Sequence, residues 1–176
     1  PPSGVTIEKV NDQSIVQMLD AGEIDALITP RAPSNFNPAG TGRVRRMFPD
    51  HAAVEADHFR RTGLFPIMHM VGVRNDILTA HPWIAGSLVK AFAKAKAIAL
   101  DDLNQTAALK TSLPFLPAHV SEATQLFGPD FWPYGLEPNR KILDAMTRWS
   151  FEQGLSTRRV GIDELFAPQS VSSYKI

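Results

Sequence analysis

The stretch from Pro82 to about Leu103 constrains the fold more than any other part of the chain. Its apolar residues Ile84, Leu88, Phe92, Ala95, Ala99 and Leu103 recur at intervals of three and four, which places them in one stripe along a single helix. Pro82 suits the first helical turn, where its missing N–H removes no hydrogen bond. A stripe of this length needs other elements to cover it. The chain is therefore expected to form a globule around this helix, and with 176 residues, 44% of them hydrophobic, it has the material for a sizeable core.

The flanking sequence predicts the covering elements. Residues 5–10 alternate apolar and polar side chains, as a strand with one buried face does. A short helix follows, with Asp12 or Ser14 as its cap, Ile15, Val16, Met18 and Leu19 as apolar positions, and Gly22 as its stop. Residues 24–28 then read as a compact apolar strand. Strand, helix and strand in this order favour a parallel pair in a covered sheet, hence an α/β class. Residues 29–42 are rich in Pro, Ser, Asn and Gly, and Pro30, Pro33 and Pro38 prevent regular pairing, so they form a loop or crossover. Residues 50–61 predict a helix stopped by Gly63, and 65–74 a third strand, with Pro66 near its start. Further helices are expected at 119–127, stopped by Gly128, and at 139–153, stopped by Gly154. The second of these should bury Ile142, Leu143, Met146 and Trp149. A final short helix at 163–166 precedes a polar tail.

Several function classes are disfavoured at once. Lys plus Arg and Asp plus Glu each total 18, so no excess charge favours nucleic acid or an acidic membrane surface. Cysteine is absent, which excludes disulfides, thiolate metal sites and a cysteine nucleophile. No apolar run approaches the roughly 20 residues that span a bilayer. His51, His58, His81 and His119 have no metal-ligand spacing, and neither a Gly-rich phosphate loop nor a nucleophile elbow occurs. The chain opens on Pro1, Pro2, Ser3 and Gly4 without an initiator Met, so residues upstream are expected.

Four groups of residues could carry chemistry. Arg31 follows a predicted strand and is stiffened by Pro30 and Pro33, so its planar guanidinium could clamp a carboxylate through two parallel bonds. The bland alternative is a solvated loop arginine. His69 lies in an apolar run between Met68 and Met70, as a proton donor near a cleft or as a satisfied core histidine. Phe131, Trp132 and Tyr134 form an aromatic loop broken by Pro133 and Gly135, able to stack on a flat ring or to anchor itself to the core. Glu137 and Asn139 read as caps of the next helix. Arg43, Arg45, Arg46, Arg60 and Arg61 read as solvated or salt-bridged faces.

Four strings share a resemblance: Met18-Leu-Asp-Ala-Gly-Glu-Ile-Asp-Ala-Leu-Ile-Thr-Pro-Arg-Ala-Pro, Arg60-Arg-Thr-Gly-Leu-Phe-Pro-Ile-Met-His, His81-Pro-Trp, and Asp130-Phe-Trp-Pro-Tyr-Gly-Leu-Glu-Pro-Asn-Arg. Together they resemble the 4,5-dihydroxyphthalate decarboxylase family. The resemblance implies an α/β, type 2 periplasmic-binding-protein-like fold of two lobes, of which this chain is the C-terminal part. Residues 1–29 would end the second lobe and form a hinge strand, and residues 30–176 would complete the first lobe. Family members are nearly twice this length, so the remainder of both lobes would lie elsewhere.

The resemblance also implies a chemistry: cofactor-free decarboxylation of an aromatic ortho-dicarboxylate in the cytoplasm. His69 would transfer the proton, Arg31 would fix the retained carboxylate, and Phe36, Trp132 and Tyr134 would contact the ring. No metal or other cofactor is implied. The expected partner is a small aromatic carboxylate, with neither nucleic acid nor membrane insertion, and the chain could pair with a second copy. The alternative on the same scaffold is a periplasmic solute-binding protein that delivers such a carboxylate to a transporter.

Overall fold

The computed structural model describes residues 4–171, which divide into two compact units, one up to Asp57 and one from His58 onward. In the first, helix α1 (Ile15–Ala21) starts at Ser14. The Ser14 hydroxyl accepts from the Gln17 N–H at 3.2 Å, and the Gln17 side chain accepts from the Ser14 N–H at 2.8 Å. These reciprocal bonds satisfy two backbone donors that a helix start leaves open. The helix ends where Gly22 takes φ +76°, a left-handed turn that costs glycine no Cβ clash. Helix α2 (His51–Thr62) begins after Asp50, whose carboxylate accepts from the Ala53 N–H. It stops at Gly63, at φ +64°.

The expected α/β two-lobed sheet fold is not present: the described residues form helices joined by irregular segments and contain no sheet. A strand exists only when its N–H and C=O groups meet a neighbouring strand. Residues 5–10, 24–28 and 65–74 carry strand-like composition, yet none of them pairs in a ladder among the described residues. The single strand-like pairing described is an isolated parallel bridge between Phe36 and Val44. Alternation and β-branched content report a local preference, and that preference becomes structure only through a partner.

The second unit is built on α4 (Trp83–Asn104), whose limits lie one residue from those its periodicity predicts. It packs against α3 (Asn75–Ala80), α5 (Leu116–Phe127) and α7 (Pro168–Val171), while α6 (Leu136–Glu152) packs on a single 3₁₀ turn, Ile162–Glu164. The polar tail beyond α7, residues 172–176, lies outside the described residues. The enclosed apolar residues are Ala85, Leu116, Leu136, Leu143 and Ala145, joined by Thr147. This core differs from the expected stripes. On α4 the small residues Ala85 and Gly86 are the buried ones, whereas Phe92 is 43% exposed. On α6 Leu143 is buried as expected, but Met146 and Trp149 are partly exposed. Helices approach closest where side chains are small, and the larger residues are left to line open space.

The 3₁₀ turn is closed by one carboxylate. Arg158 donates two bonds to Glu164, at 3.0 and 2.6 Å, and the Gly161 N–H donates a third at 2.8 Å. The Arg158 pair, followed by the Gly161 bond, holds the Glu164 carboxyl down at about 2. Because the folded-state pKa is depressed, this contribution to stability is present above about pH 4.5 and is lost as pH falls through about 2. A carboxyl-carbon NMR titration should therefore place the Glu164 midpoint near 2, and Arg158→Met should move it upward. A wild-type midpoint near 4.5 contradicts the assigned pairing.

Candidate functional site

A cavity of about 980 Å³ opens in the second unit. Its lining includes the extended run from Phe65 to Val73 and, on α4, Leu88 and Phe92. The aromatic loop and the start of α6 line it as well. His69 lies on the extended wall and is exposed, so the satisfied core histidine is not what forms here. Trp132 and Tyr134, 44% and 45% exposed, line the same cavity. Three of the five residues singled out for ligand contact or proton transfer thus share one chamber.

The aromatic loop is both anchored and open. Trp132 meets Phe65 edge-on, with centroids 6.2 Å apart, and Phe65 packs on Phe127 at 4.8 Å, which in turn packs on Phe59 at 4.5 Å. Such edge-to-face contacts add to the burial of the rings themselves. Beneath the loop, the Lys96 ammonium donates to both Asp130 carboxylate oxygens at 2.8 and 2.9 Å, and to the Trp132 carbonyl at 3.2 Å. It also stands 4.8 Å from the centre of the Tyr134 ring, within cation–π range. The Asn139 amide donates to the Pro133 and Gly135 carbonyls, each at 2.8 Å. A loop broken by proline and glycine cannot satisfy its carbonyls through a ladder, so these two side chains supply the donors.

The expected cap is therefore something else. Helix α6 begins at Leu136, three residues before its predicted start, and Asn139 reaches back to the loop from inside the helix. Glu137 pairs with Arg140, and that hydrogen bond lowers the Glu137 carboxyl below its usual range. Nothing in its immediate sequence gives Lys96 prominence. The available signal was a lysine four residues after Phe92 on the same helical face, where an apolar side chain would continue the stripe.

Arg31 and Phe36 belong to the first unit. Arg31 is exposed, its N–H bonds the Thr29 hydroxyl at 3.4 Å, and its guanidinium has no partner among the described residues. Phe36 is half-buried, and the Arg46 guanidinium covers its ring at 5.4 Å from the centroid. Arg46 therefore packs on an aromatic face while remaining exposed to solvent, as a solvated face requires. Beside it, the Asn35 side-chain oxygen is buried without a hydrogen-bond partner among the described residues. No cluster of three or more His, Asp or Glu side chains among the described residues is placed to hold a metal ion.

The comparison with known proteins gives this cavity its context. No family model matches the chain. It is 42% identical to a 4,5-dihydroxyphthalate decarboxylase of Comamonas testosteroni over 176 residues, which is 99% of this chain and 53% of that protein. Over nearly its whole length the chain is thus similar to a 4,5-dihydroxyphthalate decarboxylase. It spans about half the length of the curated relative it matches. Within this chain, the string from Asp130 to Arg140 encodes the loop and the helix start that hold it, and the string from Arg60 to His69 runs from the stop of α2 to the cavity wall.

Replacing Lys96 by Met should loosen the loop. The cost should be about 1 kcal/mol, because half-exposed Asp130 regains water once its partner is gone. In a variant that keeps Trp132 as its only tryptophan (Trp83→Phe, Trp149→Phe), the emission of Trp132 should shift to the red on Lys96→Met. An unchanged spectrum and melting temperature would show that Lys96 does not hold the loop.

Proposed function

We propose that the complete gene product containing this chain is a cofactor-free carboxy-lyase. It would remove one carboxylate from 4,5-dihydroxyphthalate to give protocatechuate and carbon dioxide, with the cavity of the second unit receiving the ring. The observation that carries this reading is the 42% identity, along 99% of the chain, to a protein described as that decarboxylase. The cavity adds support through a histidine and two flat, half-exposed aromatic faces in one chamber.

The chemistry matches these groups. In 4,5-dihydroxyphthalate each carboxylate is para to a hydroxyl. Protonation of the ring carbon bearing one carboxylate forms a C–H bond and dearomatises the ring, and the para oxygen stabilises the charge that develops. The C–C bond to the carboxylate then breaks, its electron pair returns to the ring, and carbon dioxide leaves. The net reaction consumes one proton. His69 would deliver that proton and recover another from solvent, which its exposure permits. Trp132 and Tyr134 would hold the ring and reduce water around the departing carboxylate.

The test mixes the complete gene product with 4,5-dihydroxyphthalate and follows protocatechuate. His69→Gln keeps a polar side chain of similar reach but cannot cycle a proton near neutral pH. Its turnover should fall by about two to four orders of magnitude while substrate binding changes little. Unchanged turnover in a folded His69→Gln protein removes His69 from the mechanism. Tight binding with no product from the wild type would instead favour capture of the acid without chemistry.

A further inference from the structure

We infer that Lys141 is the cation that receives a carboxylate of the ligand in this cavity, an assignment that rests on reading the cavity as an aromatic-acid site. The lining residues include two carboxylates, and both already have partners: Asp130 is held by Lys96 and Glu164 by Arg158. The same lining contains one Lys or Arg side chain among the described residues, that of Lys141 on α6. No hydrogen bond or ion pair to its ammonium occurs among the described residues. An incoming anion therefore meets two paired carboxylates and one exposed, uncompensated positive charge.

The backbone makes room for this ammonium. A Cβ atom at Gly63 would stand 3.1 Å from the Lys141 Nζ, closer than ordinary packing allows. Glycine is needed here for its φ of +64° at the stop of α2, and its lack of a Cβ also leaves room for the lysine tip beside the turn. That turn leads directly into the cavity wall that carries His69, so one chain reversal sets both the lysine and the wall. A lysine offers three rotatable donors and a compact charge, which suits one end of a carboxylate and makes no demand for a planar, two-pronged fit.

The experiment uses the complete gene product as wild type, Lys141→Gln and Lys141→Arg, with thermal melting of each. Calorimetry measures the affinity of phthalate, which has both carboxylates, and of catechol, which has none. Lys141→Gln should weaken phthalate binding about ten- to a hundredfold, as for loss of a charge-assisted bond, and leave catechol binding unchanged. Lys141→Arg should restore most of the phthalate affinity. Equal phthalate affinity in wild type and Lys141→Gln overturns the assignment, as does a wild type that does not bind phthalate. A parallel loss for phthalate and catechol also overturns it, because the lysine would then be shaping the cavity and not reading charge. The decarboxylase reading fails separately: Lys141-dependent phthalate binding without protocatechuate release refutes the reaction and retains the lysine, whereas release with Lys141-independent binding does the reverse.

Discussion

The contact on which most of the site depends is the Lys96 ammonium beneath the aromatic loop. It bonds the Asp130 carboxylate and the Trp132 carbonyl, and it faces the Tyr134 ring, so one side chain on the longest helix reaches three positions of the loop. Only 16% of that side chain is exposed, and removing an ammonium from water is costly unless its donors are used. Here they are used. Asn139 completes the work from the other side by binding the Pro133 and Gly135 carbonyls. A loop that would otherwise have open carbonyls becomes a fixed surface that presents Trp132 and Tyr134.

That fixed surface also determines the electrostatics. Because Lys96 is spent on Asp130, and Arg158 on Glu164, the lining presents little net negative charge to a ligand. An aromatic acid would then meet flat rings and a histidine, with no free carboxylate to repel it. In the proposed chemistry the carboxylate leaves as neutral carbon dioxide. Apolar surroundings favour that product over its charged precursor.

The longer helices were legible in outline because their signals are local, whereas the short α3 and α7 were not foreseen. Ser14 and Gly22 bound α1, Asp50 and Gly63 bound α2, and the spacing of apolar residues located α4 to within one residue at each end. Strand composition was legible too, but a strand also requires a partner that local sequence does not specify, and residues 65–74 form a cavity wall without a ladder. The site followed the same division. His69, Trp132 and Tyr134 stand out by residue type and by the strings around them, and they line one cavity. Lys96, Asn139 and Lys141 do not, because their positions matter only through neighbours reached after folding. Lys96 meets Asp130 across 34 positions, and Asn139 resembled a cap until α6 proved to start before it.

A crystal structure of the complete gene product with phthalate bound tests the account most directly. The ring should lie against Trp132 and Tyr134, with one carboxylate oxygen within hydrogen-bonding distance of the Lys141 Nζ and His69 facing the other carboxylate-bearing carbon. Phthalate seated away from these four side chains, with the cavity otherwise unchanged, would contradict the account.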